Sequence, residues 1–148
     1  MITAERYHDF SYGHRVFGHE SKCAHLHGHN GRVHFTIVGM QTEENQTGLD
    51  KVGRVLDFSA IKEKLCVWLE ENWDHKFLLW KEDLWADTLY QIDRKGLVLT
   101  TFNPTAENMA DYLLTVIGPK QLTGTGCTLI KVTVEETRKC AATAEIFV

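Results

Sequence analysis

The sequence lacks any apolar run that approaches the length of a membrane-spanning helix, and its first residues have no apolar core typical of a signal peptide. It also lacks an excess of basic residues, because 16 Lys and Arg stand against 20 Asp and Glu, for a net charge of -4. A chain with this balance is a poor candidate for wrapping nucleic acid or coating an anionic membrane. We therefore expect a cytoplasmic protein that binds neither partner.

Cysteines are few and show no pairing pattern. The four, at positions 23, 66, 127 and 140, form no Cys-x-x-Cys pair, so we interpret them as reduced thiols and not as a disulfide framework. Internal repeats, low-complexity segments and linkers rich in proline or serine are also absent. A length of 148 residues with 43% hydrophobic residues then predicts one compact domain spanning residues 1-148.

Alternating hydrophobicity predicts two strands at the start of the chain. Residues 3–16 carry the β-favouring aromatics of the first strand, and residues 31–39 form the second. Val33, Phe35 and Ile37 lie on one face of that second strand, as period-2 alternation requires.

Two helices and a closing pair of strands are predicted to follow. The first helix runs from the N-cap Asp57 to about Asn72, and the second opens at Pro104 or Thr105. The predicted inward-facing residues are Phe58, Ile61, Leu65, Trp68 and Leu69 in the first helix and Met109, Leu113, Val116 and Ile117 in the second. Residues 128–134 and 141–148 are predicted strands, residues 96–101 a short additional strand, and residues 73–85 irregular. The order β-β-α-α-β-β predicts an α+β fold, in which helices cover one face of a mostly antiparallel sheet.

Histidine is the residue type whose distribution is most unusual. Six of the eight histidines fall in one stretch, at positions 14, 19, 25, 27, 29 and 34. His27 and His29, two apart on an extended segment, point the same way, and His14 can join them if the two strands pair as a hairpin. Three neutral imidazoles that leave a fourth position open are typical of a catalytic zinc site.

Other interpretations of this stretch remain open. A closed structural knuckle could use Cys23, His25, His27 and His29, although four ligands within seven residues are tighter than the usual finger spacing. Single histidines are usually surface or core residues, which is our interpretation of His8, His19, His25 and His34.

Cys23 also allows two interpretations. A free cysteine is more often a buried apolar residue than a reactive one. A nearby dication, together with Lys22, would instead favour the thiolate and give Cys23 a role in proton transfer.

Five ordered motifs resemble one known family. They are Phe10-Ser-Tyr-Gly-His14-Arg15, Cys23-x-x-x-His27-Gly-His29, Asp74-His75-Lys76, Pro104-Thr-Ala-Glu-Asn108 and Val132-Thr-Val-Glu-Glu136-Thr137. Together they resemble the 6-pyruvoyltetrahydropterin synthase family, and the gap between the cysteine and His-Gly-His resembles its 6-carboxytetrahydropterin synthase branch. The resemblance implies the tunnelling fold (T-fold), a four-stranded antiparallel sheet with two helices on one face, and a homohexamer that is a dimer of trimers.

The resemblance implies a metal site and an acid/base set. His14, His27 and His29 would be ligands of Zn2+, and Cys23 would be a proton-shuttling thiol. Asp74 and His75 would form a second acid/base pair, brought in from a neighbouring subunit. From the residues alone, that pair is equally compatible with an ion pair in a loop.

The resemblance also implies a pterin pocket. Glu136 would anchor the pterin ring, because a carboxylate accepts two parallel hydrogen bonds from a 2-amino-N–H edge. Glu107 and Thr105 would assist, although a glutamate in the first turn of a helix is favoured by the helix dipole in any case. Tyr12-Gly13 departs from the family, whose members often carry two small residues there.

The implied reaction is carbon–carbon lysis of 7,8-dihydroneopterin triphosphate. It yields 6-carboxytetrahydropterin, acetaldehyde and triphosphate, for queuosine and related 7-deazaguanine synthesis. Arg15, Lys22 and Lys76 are candidates for binding the triphosphate, on charge and location. The alternatives are the sister reaction, which gives 6-pyruvoyltetrahydropterin, and a non-catalytic zinc-binding module.

Overall fold

Six strands form one mixed sheet in the computed structural model, which describes residues 1–147. They are β1 (Thr3–His14), β2 (His27–Gly39), β3 (Lys76–Trp80), β4 (Leu97–Thr100), β5 (Cys127–Glu135) and β6 (Ala141–Glu145). The order across the sheet is β4-β3-β1-β2-β5-β6. Strands β1, β2, β5 and β6 pair antiparallel in that order, while β3 runs parallel to both β1 and β4.

A short 3-10 helix, Lys22–Ala24, and three longer helical stretches connect the strands. The first of the longer stretches, α1, comprises Phe58–Ile61, Lys62–Cys66 and Val67–Asn72; α2 is Ala86–Ile92; and α3 comprises Ala106–Tyr112, Leu113–Ile117 and Gly118–Gln121. The predicted N-cap Asp57 is confirmed, since it accepts from the Ser59 N–H, and Thr105, at the predicted start of the second helix, caps it by accepting from the Asn108 N–H. No helix within residues 1–147 is long and apolar enough to cross a bilayer.

The core lies between one face of the sheet and helices α1 and α3. Val33, Phe35 and Ile37 are all at most 1% exposed, which confirms the alternation predicted for β2. Leu65 of α1 and Met109 of α3 are buried against the same core. The predicted α+β fold, with helices on one face, is therefore confirmed.

The predicted strand number and bounds need correction. The sheet has six strands instead of four, because β3 lies in the stretch predicted to be irregular and β4 joins the sheet beside it. Leu78 and Leu79 of β3 are both fully buried, so this strand reads as a continuous apolar run without alternation. Helix α2 was also not predicted. Strand β2 begins at His27, four residues earlier than predicted, and β6 ends at Glu145, while Val148 lies outside the described residues.

Two residues predicted to face inward are exposed. Phe58 is 60% exposed at the first residue of α1, before the helix has turned onto the core. Val116 is 46% exposed and lies in Leu113–Ile117, which has π-helical hydrogen bonds. Buried residues of helix α3 include Met109, Ala110, Leu113, Leu114 and Ile117, and their three- and four-residue spacing leaves Val116 outside the buried face.

Candidate metal centre and active site

The pairing of β1 with β2 brings three histidines to one point. Directly opposite residues in an antiparallel pair share a face, and His14 lies opposite His27 while Tyr12 lies opposite His29. The ring centroids of His14, His27 and His29 are 4.6 to 5.1 Å apart. One ring nitrogen from each lies within 4.8 Å of the other two, so these residues could hold a metal ion.

Backbone carbonyls fix the tautomers of two of the rings. His14 Nδ1 lies 2.6 Å from the Pro104 carbonyl oxygen, and His27 Nδ1 lies 2.7 Å from that of His25. Because a carbonyl oxygen only accepts hydrogen bonds, each Nδ1 carries the proton and each Nε2 presents a lone pair. Metal-ligating histidines are oriented in the same way by a hydrogen bond to their other ring nitrogen.

Burial favours the neutral form of two of the three histidines. Burial lowers the pKa of His14 to about 4, partly opposed by its hydrogen bond to Pro104 and reinforced by His27 and His29. Burial also lowers the pKa of His29, although the negative charge of Glu136 acts in the opposite direction. Neutral imidazoles at pH 7 are the form that ligates metal.

The donor set fits zinc with an open position. The Nε2 atoms of His14 and His29 are buried and have no hydrogen-bond partner, which a metal ion would supply. Cys23 and His25 are not among the ligand atoms that converge, and His25 is exposed, so the geometry does not assemble the structural knuckle. Three histidine nitrogens match a catalytic zinc site with a fourth position for a ligand.

A cavity of about 300 Å³ adjoins the cluster and contains the predicted pterin-site residues. Cys23, Thr105, Glu107 and Glu136 all line it. The Glu136 carboxylate oxygens lie 3.6 Å from His14 Nε2 and 4.0 Å from His29 Nε2. Glu136 therefore connects the cavity to the histidine cluster.

Asp74 and His75 form a pair, but not at this cavity. Asp74 accepts hydrogen bonds from the Ser11 N–H and from His75 Nδ1, both at 2.8 Å. Although burial opposes ionisation, these two bonds hold the pKa of Asp74 below its usual value. The His75 side chain is 80% exposed and its backbone has a φ of 57°, a left-handed conformation that is uncommon outside glycine.

The Asp74–His75 pair lies on the opposite side of the sheet from the histidine cluster. His75 lines a second cavity of about 470 Å³ together with Ser11, Gly13, Gly28 and Asn30, and the strand residues between them, Tyr12 and His29, line it as well. These four residues alternate along β1 and β2 with the residues that face the cluster. Within one chain, the structure does not bring this pair to the histidines.

Arg15 is not available to bind a triphosphate, contrary to its predicted role. Its Nε and Nη2 atoms donate to both carboxylate oxygens of Asp83, at 2.7 and 2.8 Å, and the Asp83 side chain is fully buried. The guanidinium carbon also lies 3.5 Å from the centre of the Trp85 ring. Sequence reasoning missed Asp83, because nothing in its local pattern distinguishes it from a surface acid.

The other two cations proposed for the triphosphate remain on the surface. Lys22 is exposed, and Lys76 Nζ donates to the Lys95 carbonyl oxygen at 3.0 Å. Neither lines the cavity that contains Cys23 and Glu136.

Known proteins resemble this chain over nearly all of its length. The family model described as 6-pyruvoyl tetrahydropterin synthase matches residues 3–146. The 6-carboxy-5,6,7,8-tetrahydropterin synthase of Rickettsia felis is 34% identical over 143 residues, which cover 95% of this chain and 97% of that protein.

Solved structures show the same fold at lower identity. An uncharacterized protein from Wolinella succinogenes superposes with a TM-score of 0.79 and 23% identity, covering 99% of this chain and 98% of that one. The 6-pyruvoyl tetrahydropterin synthase of Caenorhabditis elegans gives a TM-score of 0.64 and 23% identity, covering 99% and 96%. At such identities these structures establish the shared fold alone.

Proposed function

We propose that this chain, which belongs to the 6-pyruvoyl tetrahydropterin synthase family, is a zinc-dependent 6-carboxytetrahydropterin synthase. The similarity to the R. felis protein of that name, over 95% of the chain, supports the choice of branch. The observation that carries the mechanism is the convergence of three histidines beside a cavity that contains a thiol and a carboxylate. The reaction would convert 7,8-dihydroneopterin triphosphate to 6-carboxytetrahydropterin, acetaldehyde and triphosphate, a carbon–carbon lysis that serves 7-deazaguanine synthesis.

The histidines would hold the metal. A zinc ion on His14, His27 and His29 would supply Lewis acidity toward the hydroxyls of the substrate side chain. The Pro104 and His25 carbonyls keep the lone pairs of His14 and His27 directed at the ion.

Glu136 would orient the pterin ring. An ionised carboxylate accepts two parallel hydrogen bonds from the 2-amino and adjacent N–H groups of a pterin. Because its oxygens lie within 4.0 Å of His14 and His29, a ring held there would place its side chain beside the cluster. Thr105 and Glu107, at the start of α3, line the same cavity and would complete the ring pocket.

Proton transfer would involve two groups from different chains. Cys23 lines the cavity and would move protons to and from the carbons next to the ring. Asp74 and His75 lie across the sheet from the histidines of their own chain, so we propose that they complete the site of a neighbouring subunit in a homohexamer, a dimer of trimers. The exposed ring of His75, held by Asp74, supports a role toward a partner.

The test of this function is product identification. Zinc-loaded protein is incubated with 7,8-dihydroneopterin triphosphate, and the pterin and carbonyl products are identified by mass spectrometry. Acetaldehyde with 6-carboxytetrahydropterin would support the proposal. A 6-pyruvoyl product would show that the chain catalyses the sister reaction. Bound zinc without turnover would favour a non-catalytic zinc-binding module.

A cysteine variant tests the assigned proton transfer. Cys23→Ala should retain zinc and lose turnover, since the thiol is not one of the converging metal ligands. The matched control is Cys127→Ala, whose thiol donates to the Val55 carbonyl oxygen, and it should retain turnover. Undiminished turnover in Cys23→Ala would contradict the role given to Cys23.

A further inference from the structure

Three buried side-chain polar atoms within residues 1–147 have no hydrogen-bond partner, and all three lie at the histidine cluster. They are Nε2 of His14, Nε2 of His29 and the hydroxyl of Tyr12. The proposed metal accounts for the two nitrogens. The Tyr12 hydroxyl cannot be explained in the same way, because phenols are not among the usual ligands of zinc.

Packing holds the Tyr12 ring against the cluster. Tyr12 is 3% exposed and lies directly opposite His29 across β1 and β2. Its ring stacks on Phe10 at 4.7 Å between centroids, and it contacts the rings of His14 at 5.2 Å and His29 at 5.6 Å. A Cβ at position 31 would come within 2.8 Å of Tyr12 Cε1, so Gly31 leaves the room that the ring needs. Packed in this way, the ring has a fixed position, and no other protein group within residues 1–147 pairs with its hydroxyl.

A buried hydroxyl without a partner costs free energy. Phenylalanine would fill the same space without that cost, so core packing does not explain the oxygen. The oxygen is instead explained if its partner arrives with the ligand, as happens for polar groups that a binding site keeps for recognition.

We infer that the Tyr12 hydroxyl donates a hydrogen bond to a side-chain oxygen of the dihydropterin bound at the His14–His27–His29 cluster. This inference rests on the proposed function and adds a substrate-contacting residue to it. A phenol hydroxyl is protonated at neutral pH, so it can donate this hydrogen bond.

Tyr12→Phe tests the inference, since it removes one oxygen and keeps the ring. The matched control is Tyr7→Phe, which removes the hydroxyl of a half-exposed tyrosine on the same strand. Two ligands are titrated by fluorescence against the zinc-loaded proteins: neopterin, an oxidised analogue that keeps the side-chain hydroxyls, and pterin, which has no side chain. Zinc content and the thermal midpoint are measured alongside.

Tyr12→Phe should bind neopterin about three- to tenfold more weakly than the wild type, the cost of one lost hydrogen bond to a neutral group. Its affinity for pterin and its zinc content should not change, and its thermal midpoint should not fall. Tyr7→Phe should match the wild type throughout. An equal effect on both ligands, or no effect on neopterin, would overturn the inference, as a core residue or a hydroxyl satisfied by water would give these results.

Turnover separates this inference from the proposed function. In an active wild type, Tyr12→Phe should lower kcat/KM for 7,8-dihydroneopterin triphosphate about tenfold or more. Full activity in the variant would overturn the role of Tyr12 and leave the reaction in place. The wild type could be inactive and yet bind neopterin more tightly than Tyr12→Phe does, with equal affinities for pterin. That result would support the Tyr12 contact and contradict the proposed reaction.

Discussion

Acidification should destabilise the metal-free protein, chiefly through His14. This side chain is 1% exposed and its pKa is lowered by burial to about 4, against 6.5 for an unperturbed histidine. Between these values the unfolded chain binds a proton that the folded chain does not, so stability is complete above pH 6.5 and is lost as pH falls toward 4. At 1.36 kcal/mol for each pH unit, the loss is about 3 kcal/mol. His29, whose pKa is also lowered, adds to it in the same direction.

Urea unfolding of chelator-treated protein, measured from pH 7 to pH 4.5, checks this expectation. The carboxylates with a lowered pKa contribute little in this window, because aspartates protonate mainly near or below their usual pKa of 3.8; they are Asp9, Asp50, Asp57 and Asp74. His14→Gln should show a much shallower pH dependence, and His25→Gln, at an exposed position, should behave as the wild type. A stability that is flat over this range, or equal slopes for the wild type and His14→Gln, would refute the reasoning.

Two further substitutions test the packing around the site. Asp83→Asn breaks the buried bidentate pair with Arg15, so it should lower the free energy of unfolding by about 3 to 5 kcal/mol. The control Asp87→Asn, at an exposed position, should lower it by less than about 1 kcal/mol. Similar small losses in both would contradict the importance of the pair. Gly39→Ala places a Cβ that overlaps the carbonyl oxygen of Gly48, so it should cost about 3 kcal/mol by urea unfolding, and an unchanged midpoint would show that the two backbones can separate.

Local sequence patterns predicted the parts of the fold that have one solvent-exposed face and one buried face. Strand β2 alternates up to Phe35, because Val33 and Phe35 are buried while Arg32 and His34 are partly exposed. The N-caps Asp57 and Thr105 are local signals as well. Strand β3 gave no such signal, since Leu78 and Leu79 are buried on opposite faces, and one of its parallel partners, β1, lies far away in sequence.

In the candidate site, too, residues close in sequence could be predicted from local patterns, whereas distant ones could not. His27 and His29 could be grouped from their spacing alone, and His14 joined them through one additional assumption, the pairing of β1 with β2 that the structure shows. Glu136 lies more than 100 residues further along and follows β5, which pairs with β2. No local pattern relates such distant strands, so only the family resemblance indicated Glu136 before the fold was known.

Arg15 shows that a charged residue next to a metal-ligating histidine in the sequence need not bind the substrate. As the residue after His14, it was expected to face an anion, yet its anion is Asp83, from the connection between β3 and α2. The same guanidinium donates from Nη1 to the Ala24 carbonyl oxygen, and the Val16 N–H donates to that of Cys23. The turn that carries Cys23 is thus tied to the end of β1 at two consecutive carbonyls. Arg15, which the sequence alone assigned to the substrate, therefore stabilises the turn that carries the Cys23 thiol.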